Sequence, residues 1–276
     1  MAAPKAVIGY QNYFEDTGAV IVADTELATF EKENAYDWRT ATWWKTNYAG
    51  SSPASLIQYI TVTLTTAKSV SYFAYFAHDL HTQGNSIQLQ YSTNSGSSWN
   101  DATAEEIPQT DRPRMVTFDP ISADMWRVRI SLNSSPPVDS VIGVLAFGPV
   151  MEMQRGTKPG FAPSGYSNKS EFVNSISESG EFLGKSLIRR GEERTVQISN
   201  VTPAWVRSTW QPFAAHCETK PFFFLWDETS HPIECAYCVP ISDPEAKYGH
   251  KLYMDVSVRC RCLVGNTTDT TVPTEV

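Results

Sequence analysis

The pattern of apolar and polar positions along this chain is dominated by a period of two. Leu56 to Phe76 reads Leu-Ile-Gln-Tyr-Ile-Thr-Val-Thr-Leu-Thr-Thr and then Ser-Val-Ser-Tyr-Phe-Ala-Tyr-Phe, and β-branched and aromatic residues in alternation are what half-buried strands require. Ile87-Gln-Leu-Gln-Tyr-Ser alternates as cleanly, and Asn94-Ser-Gly-Ser-Ser behind it predicts a hairpin turn returning through Trp99. Arg114–Phe118, Met125–Leu132 and Val141–Phe147 are further predicted strands, each bounded by Pro, Gly, Asn or Asp. Helix signal is weak here, its best case a short turn near Glu26–Lys32. Roughly seven or eight strands spaced by turn signals predict an antiparallel sandwich for this half.

A boundary follows. Gly148-Pro149 closes the last of these strands, and the stretch from Gln154 to Tyr166 is dense in Gly and Pro, which breaks both periodicities and places the junction between 148 and 166. Strands then resume at Ser175–Ser179, Lys185–Arg190 and Thr195–Ile198, with turns at Gly180 and Gly191-Glu192. Trp205 to Cys217 is the credible helix, with Trp205, Trp210 and Phe213 spaced for one buried face. Phe222-Phe-Phe-Leu-Trp is a fully apolar run that reads as a buried strand; Glu234–Val239 and Tyr253–Leu263 are two more. The reading is therefore all-β: an N-terminal antiparallel jelly-roll sandwich over 1–150, then a C-terminal β-barrel or sandwich with one short helix over 151–264, and a loose tail over 265–276.

Composition narrows the function classes. The 276 residues are 41% hydrophobic and 19% charged, an ordinary globular balance that argues against a disordered chain. No window reaches the roughly 18 apolar residues of a membrane span. Met1–Gly9 is followed at once by Asn12, Glu15 and Asp16, so no secretory leader is expected. The net charge of −8, most of it carried by the first 150 residues, argues against nucleic-acid binding, which needs a basic face. Cys217, Cys235, Cys238, Cys260 and Cys262 all fall near the end of the chain, and an odd count without a leader predicts reduced thiols.

Candidate chemistry is sparse. Cys235-x-x-Cys238 and Cys260-x-Cys262, with His216, His231 and His250 nearby, could supply thiolates for zinc. Both pairs lie in predicted strands, however, where residues three apart face opposite ways, so buried free thiols are the simpler reading and no metal or other cofactor is expected. A redox role is weaker still, since no helix N-terminus follows to activate a thiol. His78-Asp-Leu-His81 has the spacing of a metal pair but sits beside Gly84-Asn85, where an exposed loop accounts for it. Neither a nucleophile elbow, a phosphate loop nor a paired-acid motif occurs, so no enzyme is expected. The segment Ala35-Tyr-Asp-Trp-Arg-Thr-Ala-Thr-Trp-Trp-Lys-Thr-Asn-Tyr48 concentrates aromatic rings that could stack on sugars. Candidate carbohydrate-binding residues are Trp43, Trp44, Tyr48, His78 and His81; the competing reading puts one ring of the Trp pair in the core and the other on the surface.

Two resemblances rest on these residues. The Ala35–Trp43 loop, Tyr59-Ile-Thr-Val-Thr-Leu, the Leu89-Gln-Tyr-Ser to Trp99 hairpin, Met125-Trp-Arg-Val-Arg-Ile and Ile142-Gly-Val-Leu-Ala-Phe-Gly, in that order, resemble the galactose-binding-like (discoidin-type) jelly rolls. The resemblance implies glycan binding at one end of the sandwich, by the 35–48 and 78–86 loops. Gly160-Phe-Ala-Pro, Ser177-Glu-Ser-Gly-Glu-Phe-Leu-Gly-Lys-Ser, Arg189-Arg-Gly-Glu-Glu, Trp205-Val-Arg, Gln211-Pro-Phe, Lys220-Pro-Phe-Phe-Phe-Leu-Trp-Asp and Glu234-Cys-Ala-Tyr-Cys are similar to a domain of tailed-bacteriophage tail proteins. That similarity implies a structural part of the distal tail or baseplate, made in the host cytoplasm and carried in the virion. Its expected partners are other tail proteins, a host surface glycan and its own copies in a ring, a hexamer or trimer, with Phe222–Trp226 suited to the seam between barrels. In that family the ring barrel commonly comes first; here the lectin-like module does. A carbohydrate-binding protein without a ring role and a glycan-degrading tail enzyme are the alternatives.

Overall fold

The computed structural model describes residues 5–49, 56–163, 166, 171–189, 192–249 and 251–263. The elements run β1 Val7–Gly9, β2 Val20–Ala23, β3 Trp44–Lys45, β4 Ile57–His78, α1 Leu80–Gln83, β5 Ser86–Ser92, β6 Asn100–Asp101, β7 Arg114–Ser131, β8 Val141–Gly148 and β9 Met151–Glu152. They continue with β10 Glu171–Ile176, β11 Phe182–Arg189, β12 Glu192–Val201, α2 Pro203–Trp205, α3 Gln211–Cys217, β13 Phe222–Leu225, β14 Cys235–Pro240, β15 Glu245–Tyr248 and β16 Met254–Leu263. No described helix is long and apolar enough to cross a membrane.

The first half is an all-β sandwich formed by one sheet folded over its own core, in the order β3-β8-β4-β7-β5-β6 with β2 beside β4. Two expected strands are fused in β4, because no Gly or Pro interrupts Ile57–His78. At about 3.3 Å per residue such a strand is some 70 Å long and cannot stay flat. It bends where its register against β7 shifts, between Thr63 and Lys68 and again between Val70 and Tyr72. Both arms then feed the same core: Ile60, Val62 and Leu64 from one, Val70, Phe73 and Tyr75 from the other. The expected pair Arg114–Phe118 and Met125–Leu132 is likewise one strand, β7, with Pro120 in the unpaired stretch between Thr117 and Ile121, where a missing N–H costs no ladder bond. The turn expected near Glu26–Lys32 is a tight Leu27–Phe30 bridge, and the helical turn comes after it, as a 3-10 segment over Lys32–Ala35.

The second sheet has the order β12-β16-β14-β13-β1-β9, with β15 beside β16. Its outer core is closed by the helix that begins at Thr202, whose side chain caps Trp205 N. Pro212 has no N–H for the carbonyl one turn back, and the turn before it, Val206–Trp210, opens into π geometry. Val206, Trp210, Phe213 and Cys217 thereby line up against the sheet.

Two expectations change at the seam between the halves. Residues 1–150 were assigned to the first sandwich, but Val7–Gly9 pairs with Phe223–Leu225 and Met151–Glu152 in the second sheet. Phe222–Trp226, read as a seam between subunits, is spent inside the chain: Phe222 and Phe224 face the second core, while Phe223 and Leu225 face the first half. There they meet Val7, Tyr72, Ala74, Phe76, Val144, Ala146 and Tyr237 in one buried layer. The approach is close enough that a Cβ at Gly9 would lie 2.6 Å from Tyr72 Cε2. Tyr237 Oη donates to Trp38 O at 2.6 Å, and Lys220 pairs with Glu15 at 2.8 Å across the same seam. The 265–276 tail lies outside the described residues.

Candidate functional site

The five candidate carbohydrate-binding residues separate into distinct environments. Trp44 and His78 flank Ile142 in adjacent strands, in one row across the sheet. Trp44 is fully buried and donates its Nε1–H to Thr25 O at 3.1 Å, so it has no free face for a sugar. The His78 ring is enclosed as well; Nδ1 accepts from Leu80 N at 3.3 Å and lies 3.4 Å from Asp111 Oδ1, while Nε2 sits 3.3 Å from Arg112 O. Asp111 also receives His81 N at 2.9 Å and Thr82 Oγ1 at 2.5 Å. Burial works against its charge, yet the neighbouring His78 ring and the Thr82 hydroxyl hold its carboxyl below the usual range. The His78–His81 pair therefore anchors the 108–112 loop to α1. Tyr48 is half-buried against the sandwich core, its N–H donating to Asp139 Oδ1 at 2.8 Å. Trp43 and His81 are the exposed members of the set, Trp43 packed beside Gly143 and His81 bonded through Nδ1 to Pro108 O at 3.0 Å.

The outer face of the β4–β7–β5 ladder holds a more organised group. Alternation puts Leu89, Val128 and Ile130 into the core and turns Gln88, Gln90, Arg127 and Arg129 outward. The 101–105 segment folds over their ends, leaving an open groove of about 500 Å³ lined by Gln88, Gln90, Asp101, Thr103, Glu105 and Arg129. Arg127 is held between the rings of Tyr59 and Trp99, at 4.1 and 4.2 Å, and its Nε donates to Gln90 Oε1 at 2.8 Å. Gln90 Nε2 donates to Asp101 at 2.7 Å, and Arg129 bridges Gln88 and Glu105. Bonds from Ser86 and Ser131, with Arg129 behind them, keep the Glu105 carboxyl below its usual range. This is a rigid, flat array of donors and acceptors beside aromatic rings, the equipment for holding a polyol. The Trp and His clusters of the sequence do not point to it; the signal that does is long polar residues at every second position of Ile87–Tyr91 and Met125–Ile130.

The cysteines divide as strand geometry demands. Cys235 lies in the seam between the halves, whereas Cys238, Cys260 and Cys262 converge in the second core, so the four thiols of the two motifs do not meet as one set. Their sulfur atoms all lie within 4.8 Å of one another, at 3.6 Å for Cys238–Cys262 and 3.9 Å for Cys260–Cys262. Burial pushes the isolated thiols Cys217 and Cys235 up to about 12. In the cluster, hydrogen bonds from Cys238 and Cys260, with the Arg194 guanidinium nearby, pull Cys262 down toward the thiolate. The nearby histidines do not join it: His216 Nε2 sits 2.7 Å from Pro221 O and His231 stacks on Trp226. His250 lies outside the described residues.

No protein-family model matches this chain, and no curated protein sequence matches it. Solved structures are similar over about half of it. A GH29 fucosidase from Ruminococcus gnavus overlays at 13% identity and a TM-score of 0.42, covering 51% of this chain and 27% of the fucosidase, so the chain spans about a quarter of that enzyme. A CBM32 module from Clostridium perfringens, in complex with GalNAc-β-1,3-galactose, overlays at 17% identity and 0.38, covering 48% of this chain and 95% of the module. The F5/8 type C domain of a Bacteroides fragilis protein gives 12% and 0.37, covering 48% and 91%.

Proposed function

We propose that this chain is a structural component of a tailed-bacteriophage virion, a part of the tail tip or baseplate that assembles with its own copies into a ring. The observation that carries the reading is the β10–β11 hairpin. It pairs only within itself among the described strands and exposes Phe172, Val173, Ile176, Phe182, Leu183, Leu187 and Ile188. A two-stranded hairpin is marginal alone in water, and this many exposed apolar side chains on one call for a partner. Docking the hairpin on a different surface of the next copy makes a head-to-tail contact, which gives a ring when the rotation closes. The tail-protein motifs of residues 160–238 support the same reading. In it the chain carries out no catalytic step and its partners are other tail proteins.

Light scattering on the full chain tests this: a ring of fixed copy number is expected, converted to monomer by Phe182→Ser/Leu183→Ser with the circular dichroism unchanged. A wild-type chain that stays monomeric at high concentration overturns it.

A second reading, glycan binding by the first half, is favoured by the groove beside Arg127 and its two aromatic rings. A glycan array probed with the full chain is expected to show binding to a host surface polysaccharide that Trp99→Ala and Arg129→Ala abolish. Absence of binding, or binding unchanged in both variants, counts against it.

A further inference from the structure

The geometry points to a metal site in the second core: Cys238, Cys260 and Cys262 form a three-thiolate seat for one soft closed-shell cation, Zn(II) or Cu(I). The sheet builds it. Cys238 and Cys262 are directly opposite each other in the β14–β16 ladder, and Cys260 is two residues from Cys262 on the same face. With edges of 3.6 and 3.9 Å and a third of at most 4.8 Å, the point equidistant from the three sulfurs lies about 2.1–2.4 Å from each, which brackets a Zn–S bond of about 2.3 Å. An ion enters that point without any sulfur having to move.

The donor set fixes the class of ion. Three sulfurs with no imidazole or carboxylate in the cluster suit soft cations, and hard ones such as Mg(II) or Ca(II) need oxygen. The surroundings handle the charge. Across β16, Glu192 pairs with Cys262 and Arg194 with Cys260. Arg194, nearly enclosed, donates Nε and Nη2 to Glu192 Oε2 at 3.2 and 2.8 Å. Three thiolates and a dication leave one negative charge; the Arg194–Glu192 pair is neutral as a whole, and its guanidinium, held beside the sulfurs, moderates that charge without cancelling it, as outer-shell partners tune metal affinity. Cys217 and Cys235, buried in the same half but outside the cluster, are built-in controls.

The test uses the full chain, reduced and purified, with Zn(II) in one arm and Cu(I) in the other. One ion per chain is expected to survive gel filtration in at least one arm, with protons released as the thiols ionise. X-ray absorption should then count three sulfurs at about 2.3 Å. Cys262→Ser and Cys260→Ser should lose the ion, whereas Cys235→Ser and Cys217→Ser keep it. Should the cluster variants fail to fold, the sulfur count on the wild-type protein decides. The site is overturned by no retained ion in either arm, by a shell in which nitrogen or oxygen replaces the three sulfurs, by equal loss in Cys235→Ser, or by a Cys238–Cys262 disulfide in the metal-free protein as purified.

Discussion

Phe222–Leu225 and the β10–β11 hairpin are both apolar β structure, and the chain treats them in opposite ways. The four residues of β13 are each no more than 2% exposed, whereas Ile176, Phe182 and Leu183 in the hairpin are each above 60%. The difference lies in what covers them. Strand β13 sits mid-sheet, between β14 and β1, with the helix-closed core on one face and the first sandwich on the other. The hairpin stands outside both described sheets. An apolar strand inside a sheet is a stability element; one outside it is exposed surface, and only the first should answer to substitution by unfolding.

The largest effect expected from this contrast is at Phe223. Its ring lies 5.1 Å from Tyr237 and 6.4 Å from Trp38, in the layer joining the two halves. Phe223→Ala should cost about 3–5 kcal/mol through the lost burial and the cavity left behind. Because the layer belongs to both halves, a denaturant melt followed by tryptophan fluorescence and by far-UV circular dichroism should show the two signals shifting together. Separate transitions would mean that the halves are held independently.

Tyr237→Phe probes the polar stitch in the same layer. The hydroxyl donates to the Trp38 carbonyl, on a residue held at φ 63°. Removing it leaves a buried acceptor unpaired while keeping the ring, so a loss of about 1–2 kcal/mol is expected in the same melt.

Why was the seam hidden in the sequence while the strands were visible? Period two reports that one face of a strand is covered, and Ile87–Ser92 and Thr195–Ile198 read that way. Where both faces are covered the alternation vanishes, as in Tyr72–Phe76 and Phe222–Leu225, and the run says nothing about which surface does the covering. The short N-terminal strand Val7–Gly9 carries no sign that its partners lie more than 140 residues away. The site was legible in the same partial way. Strand parity separated Cys235 from Cys238, but the convergence of Cys238 on Cys260 and Cys262 depends on the β14–β16 register, which local sequence does not encode. Trp43 and Trp44 were equivalent on paper, and only the pairing of Trp44 with Ile142 turns one of them inward.

A smaller effect comes from His216, whose ring packs edge-on against Tyr10 and Trp38 at the seam. Burial lowers its pKa below the ordinary 6.5, against the bond its Nε2 makes to Pro221 O. The unfolded chain therefore takes up this proton first as pH falls, so the contribution of neutral His216 is whole above about pH 6.5 and is lost as pH drops toward and through the folded value. Melts of wild type and His216→Gln should converge in slope above that pH and diverge below it, the wild type losing more.

The smallest effect on stability should come from the largest change in apolar surface. Leu183→Ser/Ile188→Ser removes two side chains that are 67% and 57% exposed, and substitutions away from buried features usually stay within about 0.5 kcal/mol. A melt of the monomeric species should therefore match the wild type, in contrast with Phe223→Ala. A loss of more than about 1 kcal/mol would mean that the hairpin folds back onto its own chain in solution and is covered there as β13 is. An unchanged melt leaves its apolar face available to another molecule, which is the condition the ring requires.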